Sequence, residues 1–336
     1  MHFDLSLISK YRTQLMGAAM IWIMLFHTKI SITIPIITSI KSIGYAGVDV
    51  FVFLSGIGIY YSWQKEPSYK HFYQKRILRI LPSYISLAIL FAVIGIIFYN
   101  YKISSFIWSI SSLAYIFEIF DPLITNWYIP FILFLYLITP PFFSIFSKNI
   151  VKGFWVIIII TLITYCLINL YYTQYIYLLL MISRIPIYFL GIYIGYQITK
   201  KKQLNYLETS ACFLFFIFGL MILLYPFPEQ IRHIFYSKSI IFVAASSITP
   251  FLCIIFSKIF QMLDPHLSLV SLFGKYSLCI YIIHEKLIFI CYHEINSLWI
   301  ANIIITILTL TLAIFWQRAS DNIIAKYRKA QRAKLI

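Results

Sequence analysis

Long apolar runs alternate with short basic clusters along the whole chain. The runs lie near residues 13–33, 44–62, 77–99, 104–119, 127–147, 151–170, 176–198, 206–226, 238–260, 270–292 and 297–317. A helix needs about 20 apolar residues to cross roughly 30 Å of hydrocarbon. All but one of the runs approach that length. The exception, 104–119, is short and carries Glu118. A lone strand in lipid would leave its backbone groups unpaired, whereas a helix satisfies them within one segment. The pattern therefore predicts an all-α, polytopic integral membrane protein.

The basic clusters decide how many runs cross. Lys and Arg concentrate in cytoplasmic loops. Lys10 and Arg12 precede the first run. Lys65, Lys70, Lys75, Arg76 and Arg79 lie between the second and third. Lys148 with Lys152, the Lys200–Lys202 triplet, and the tail with Arg318, Lys326, Arg328, Lys329, Arg332 and Lys334 come later. If 104–119 crossed, every later cluster would fall outside. If it does not cross, every cluster is cytoplasmic. The predicted arrangement is about ten transmembrane helices with both termini in the cytoplasm. The segment 104–119 is then re-entrant or interfacial on the outer side.

Composition agrees. The 336 residues are 61% hydrophobic and 11% charged, with mean hydropathy +0.87. Soluble domains average about 25% charged residues. The net charge of +16 would suit a nucleic-acid binder. Its confinement to loops between apolar runs argues against nucleic acid as a partner and for a multi-pass protein of the inner (cytoplasmic) membrane. The first run is read as a retained span, because it is long, contains His27 and lacks a small-x-small cleavage site. The expected organisation is one membrane-embedded domain, 1–336, with a basic tail at about 318–336 held near anionic headgroups. Cys166, Cys212, Cys253, Cys279 and Cys291 lie in or beside apolar runs and form no CxxC or Cys/His set. Neither a disulfide nor a metal site is expected.

Ionisable residues inside spans are costly unless paired or functional. They are His27, Asp49, Arg184, His284, Glu285 and Lys286, with Arg12, Arg76 and Arg79 at cytoplasmic span ends. His27 and Asp49 both fall roughly 8 Å below the outer surface on consecutive antiparallel helices. They could form a His–carboxylate pair that acts as a general base, or a polar pair that fixes helix register. Arg76 and Arg79, spaced i, i+3, share a helix face and read either as an anchor or as a phosphate clamp. Arg184 precedes Pro186, which should loosen its helix. Contact with a ligand or an internal carboxylate suits its depth. His284, Glu285 and Lys286 should point in three directions, about 100° apart.

Taken in order, these segments resemble the acyltransferase family 3 membrane proteins over nearly the whole chain. Leu15-Met16-Gly17 leading to Leu25-Phe26-His27 is similar to the first-span motif that ends in the family's key His. Gly44-Tyr45-Ala46-Gly47-Val48-Asp49-Val50-Phe51-Val52-Phe53-Leu54-Ser55-Gly56 resembles its second-span signature. Arg76-Ile77-Leu78-Arg79-Ile80-Leu81-Pro82-Ser83-Tyr84 resembles its third-span entry. Trp127, Tyr136 and Pro140, then Arg184 with Gly191, then Gly274-Lys275-Tyr276-Ser277, Tyr281 and His284 complete the series. The family's Arg eleven residues before the His is Met16 here, and Arg12 lies one turn away. A carboxylate common after the Trp is replaced by Ile132, with Glu118 as an alternative.

The resemblance implies transfer of an acyl group, usually acetyl, from cytoplasmic acyl-CoA to a hydroxyl of an extracytoplasmic or lipid-linked glycan. His27 with Asp49 would be catalytic. Arg12, Arg76, Arg79 and Arg184 would hold the CoA co-substrate. Ser55, Trp127, Tyr128, Tyr136 and His284 would face substrate or the oxyanion. Membrane lipid would be the other partner. Direct attack on the thioester and an acyl-His intermediate are both open. A different class, a polysaccharide flippase or permease without acyl-transfer chemistry, also suits buried charge and broken helices.

Overall fold

Ser, Pro or Gly opens several of the helices, and others begin or end within apolar or basic sequence. The computed structural model describes residues 3–333 except 116, 118, 120, 172–175, 225–237 and 265. Its helices, in chain order, are α1 (Ser6–Lys10), α2 (Arg12–His27), α3 (Pro35–Ser42), α4 (Gly47–Lys65), α5 (Tyr69–Tyr99), α6 (Ser104–Ser111), α7 (Tyr128–Phe146) and α8 (Ile150–Tyr171). They continue with α9 (Ile176–Ile182), α10 (Ile185–Thr199), α11 (Tyr206–Leu224), α12 (Lys238–Leu263), α13 (Ser268–Lys275), α14 (Ser277–Glu294) and α15 (Leu298–Ala333). One two-residue antiparallel ladder pairs Phe3 with Leu204 and Asp4 with Gln203.

Among the described residues, eight segments are long and apolar enough to cross a membrane. The chain is an all-α, multi-pass membrane protein. Three of the apolar runs take other forms. The run at 13–33 stops being helical at His27, which leaves α2 with 16 residues. The run at 270–292 is broken at Tyr276 into α13 and α14, and α14 carries Glu285, Lys286 and Glu294. The run at 104–119 yields only α6, of eight residues, about 12 Å long and too short to span. It ends at Ser112 in the left-handed region (φ 54°). Glu118 lies outside the described residues. The run at 176–198 also breaks, between α9 and α10, where Pro186 occupies the first turn of α10. Pro lacks an N–H to give to a preceding turn and is pre-set for a helix start. At the other end of the chain the tail is no separate element, because α15 continues through it for 36 residues in all.

The chain divides into two compact units that alternate along the sequence. The first comprises residues 1–26, 32–68 and 135–275, and the second comprises 27–31, 69–134 and 276–336. In the first unit, α4 packs on α10 and α11 packs on α12. The α4–α10 contact depends on glycine. A Cβ on Gly56 would collide with the Tyr188 carbonyl, and one on Gly191 with the Phe53 carbonyl. Gly17 of α2 and Gly274 of α13 meet the backbone of Val270 and Thr13 in the same way. Small residues allow backbones this close, and close packing supplies the association energy that water cannot supply in lipid. In the second unit, α14 packs on α5 and α15, and α6 packs on α5. Tyr84 of α5 donates to the Ser109 carbonyl of α6 at 2.6 Å. Trp316 of α15 donates to Ser86 Oγ of α5 at 2.7 Å.

Candidate functional site

Each unit gathers its own polar cluster. In the first, α4 brings Asp49 into its opening turn, where the helix dipole favours an anion. Asp49 is 0% exposed and Arg184, at the break between α9 and α10, is 1% exposed. Arg184 Nε lies 3.4 Å from Asp49 Oδ2. Ser246 of α12 donates to Asp49 Oδ1 at 2.7 Å. Arg184 Nη1 donates to the Leu180 carbonyl at 3.3 Å. A buried charge persists only when paired and hydrogen-bonded, and this one draws on α4, α12 and the α9–α10 corner.

Further along α4, Ser55 Oγ lies 3.5 Å from Tyr136 Oη. Thr139 and Tyr188 hydroxyls meet at 2.7 Å. Arg12 Nε donates to the Leu54 carbonyl at 3.1 Å. Its guanidinium fills the space beside Gly58, where a Cβ would come within 2.9 Å of Cζ. Arg12 therefore reaches α4 from one turn nearer the N-terminus than Met16.

The second unit holds the imidazoles. His27, at the end of α2, has Nδ1 3.4 Å from Nε2 of His284. The rings are 5.2 Å apart and tilted by 63°. His284 is 0% exposed, and its Nδ1 lies 3.0 Å from the Ile280 carbonyl. Tyr281 is 5.6 Å from the His284 ring and 5.3 Å from the Tyr128 ring. Trp127 follows at 6.1 Å from Tyr128. His27, His284, Trp127 and Tyr128 are thus joined through Tyr281.

Consecutive residues of α14 do point three ways. His284 meets His27. Glu285 Oε2 accepts from Asn126 Nδ2 at 3.4 Å, while Asn126 Oδ1 caps the N–H of Ile129 at 3.1 Å. Lys286 Nζ donates to the carbonyls of Pro122 and Thr125 at 2.9 and 2.7 Å. The two charged residues pin the loop that delivers Trp127 and Tyr128 to α7. Arg76 and Arg79 sit elsewhere in this unit, on α5. Arg76 is 6% exposed, with its guanidinium 5.6 Å from the Phe72 ring. Arg79 is exposed. The i, i+3 spacing leaves them about 60° apart, and the edge of the buried face runs between them.

Sequence matches Asp49 to His27 by depth, and each has further partners within its own unit. Both oxygens of Asp49 are engaged within the first unit, by Arg184 and Ser246. His27 has His284 as a partner within the second. Depth counting could not weigh Arg184, and a guanidinium is the stronger mate for a carboxylate. Ser246, Asn126 and Tyr188 escaped the sequence reading. Hydroxyls and amides cost little inside a helical run, so nothing in the pattern sets them apart.

The arrangement supplies an imidazole with a hydrogen-bonded neighbour, and guanidinium groups suited to phosphate. A family model described as "Acyltransferase domain" matches residues 15–316, all but the first fourteen and last twenty residues. No curated protein and no solved structure matches the chain. The match runs through both polar clusters, and the chain belongs to acyltransferase family 3 as a membrane acyltransferase.

Proposed function

We propose that the protein moves an acyl group, acetyl in the simplest case, from cytoplasmic acyl-CoA to a hydroxyl of an extracytoplasmic or lipid-linked glycan. The observation that carries this reading is His27, paired with a second imidazole in a chain matched to an acyltransferase model. His27 takes the proton of the acceptor hydroxyl as its oxygen attacks the thioester carbonyl. The C–S bond then breaks, and the CoA sulfur leaves with the proton returned by His27. The bridging ester oxygen of the product comes from the glycan, and its carbonyl oxygen from the thioester. An acyl-His route reaches the same products through two displacements.

Arg76, Arg79 and Arg12 suit the CoA phosphates, because guanidinium groups bind phosphate oxygens in bidentate fashion. Trp127, Tyr128 and Tyr136 offer flat surfaces and hydroxyls for a sugar, and Ser55 offers a donor to the oxyanion. Arg184 is better assigned to Asp49 than to the donor, given its ion pair. The charge pattern supports ten crossings, with α2 and α14 added to the eight long apolar segments, both termini in the cytoplasm and α6 on the outer side. The membrane is then the cytoplasmic one.

The test uses purified protein in nanodiscs with radiolabelled acetyl-CoA and surface glycan. The expected result is label on the glycan and one free CoA thiol per acyl group transferred. Glycan translocation into vesicles without release of CoA would favour a flippase instead.

A further inference from the structure

The imidazole pair carries more information than its distance. His284 Nδ1 lies 3.0 Å from the Ile280 carbonyl, one turn earlier on the same helix. A carbonyl oxygen only accepts, so Nδ1 of His284 bears the hydrogen. In the neutral ring the lone pair then sits on Nε2, the atom that faces His27 Nδ1 at 3.4 Å. Within this pair His27 Nδ1 then donates, and the lone pair of a neutral His27 ring falls on Nε2.

We propose that His284 is a positioning residue that fixes the tautomer of His27, so that Nε2 of His27 receives the proton of the acceptor hydroxyl. The proposal rests on His27 being the base. The main-chain carbonyl of Ile280 sets one ring, and that ring sets the next. When His27 takes up a proton at Nε2, its Nδ1–H is already directed at His284. No bond within the pair has to be remade, and no proton passes between the rings. His284 accepts before, during and after the step.

A second observation supports the assignment. His284 cannot easily turn away. It is 0% exposed, and its chain neighbours Glu285 and Lys286 are tied to Asn126 and to the carbonyls of Pro122 and Thr125. A neutral acceptor also suits the setting. A carboxylate in this place would bring a full charge to be compensated inside the membrane, whereas an imidazole accepts through a lone pair and brings no full negative charge.

Two variants and one spectroscopic readout test the proposal. His284→Phe keeps a flat ring and lacks the acceptor. His284→Gln offers Oε1 near the position of Nε2. In His284→Phe, kcat is expected to fall about tenfold to a hundredfold, within the 10²–10⁴ that acid–base catalysis contributes, with KM for acetyl-CoA unchanged. His284→Gln should recover most of that loss. Nitrogen-15 NMR of labelled histidine should show His27 protonated at Nδ1 in the unmodified protein and a mixture of tautomers in His284→Phe. Unchanged kcat and tautomer in His284→Phe would overturn the proposal, as would His27 protonated at Nε2 in the unmodified protein. If His284→Phe does not fold, the unmodified spectrum and the His284→Gln rate decide the matter. Activity surviving in His27→Ala would overturn the base and with it this proposal, whereas loss in His27→Ala with normal kcat in His284→Phe would overturn the positioning alone.

Discussion

The two polar clusters solve the same problem in opposite ways. In the first unit, a full negative charge and a full positive charge are buried together, with Ser246 and the Leu180 carbonyl taking further contacts. In the second, two neutral-capable rings are joined by one hydrogen bond. The ion pair uses up its members, because moving either one strands the other in a medium where an unpaired charge is expensive. On the proposed function, the imidazole pair instead exchanges a proton with the substrate. Buried charge in a span is therefore not by itself a sign of catalysis. On that reading, the kind of partner separates a fastener from a base.

The largest effect should come from the imidazole side. His27→Ala is expected to lower acyl transfer by at least 10²–10⁴-fold, while the purified protein keeps its melting temperature and its affinity for CoA. Near-normal transfer in that variant would falsify the assignment of His27. The opposite signature is expected at the ion pair. Arg184→Ala should cost about 3–5 kcal/mol of stability by stranding Asp49, and Asp49→Asn should be destabilising in the same sense. Replacing both at once, Asp49→Leu with Arg184→Met, should be milder than Arg184→Ala alone. A double variant as unstable as the sum of the singles would show that the two side chains act independently. A catalytic loss in Asp49→Asn with no change in melting temperature would return Asp49 to the chemistry.

The arginines of α5 extend the contrast to the donor. Arg76→Ala should weaken acetyl-CoA binding by about 1.5–3 kcal/mol, the worth of a charge-assisted contact. Arg79, being exposed, should contribute about 1 kcal/mol or less, and less still in high salt. Isothermal titration at two salt concentrations separates them. Equal losses in both variants would remove the distinction that burial draws.

The smallest effect is expected where a carboxylate–ammonium pair lies at the surface. Lys202 donates to Glu208, and this hydrogen bond holds the Lys202 amine above its usual value of 10.5. The sign follows. A raised folded-state value means stabilisation that is present below about pH 10.5 and fades as the pH rises through the higher folded value. Both side chains are about one-third exposed, at 38% and 32%, so solvent screening limits the contribution to about 0–1 kcal/mol. Glu208→Gln should lower the melting temperature slightly at pH 8, and the difference should close as the pH rises through the raised folded-state value of Lys202. A loss as large as that of Arg184→Ala would mean that burial does not govern what these pairs contribute.

The apolar pattern carried most of the architecture, because lipid leaves the backbone few alternatives to helix. Eight of the runs coincide with long apolar helices. The pattern did not show where runs break. The stop at His27, the corner at Arg184 and the division at Tyr276 lie inside continuous apolar sequence, and Pro186 alone announced one of them. The site was legible as a set of residue types and illegible as a set of partners. His27, Asp49, Arg184 and His284 stood out because each is expensive in a span. Which of them meet depends on helix rotation and on contacts hundreds of residues apart, and residue counting gives depth alone.

The Asp49 cluster also has a history in time. Asp49 and Ser246 are separated by 197 residues, and at typical elongation rates of about 5–20 residues per second the ribosome needs roughly 10–40 s to make that stretch. Arg184 emerges during the same interval. For much of it, α4 exists without either partner for its carboxylate. The partners of the α4 carboxylate therefore become available only once the α9–α10 corner and α12 have been made.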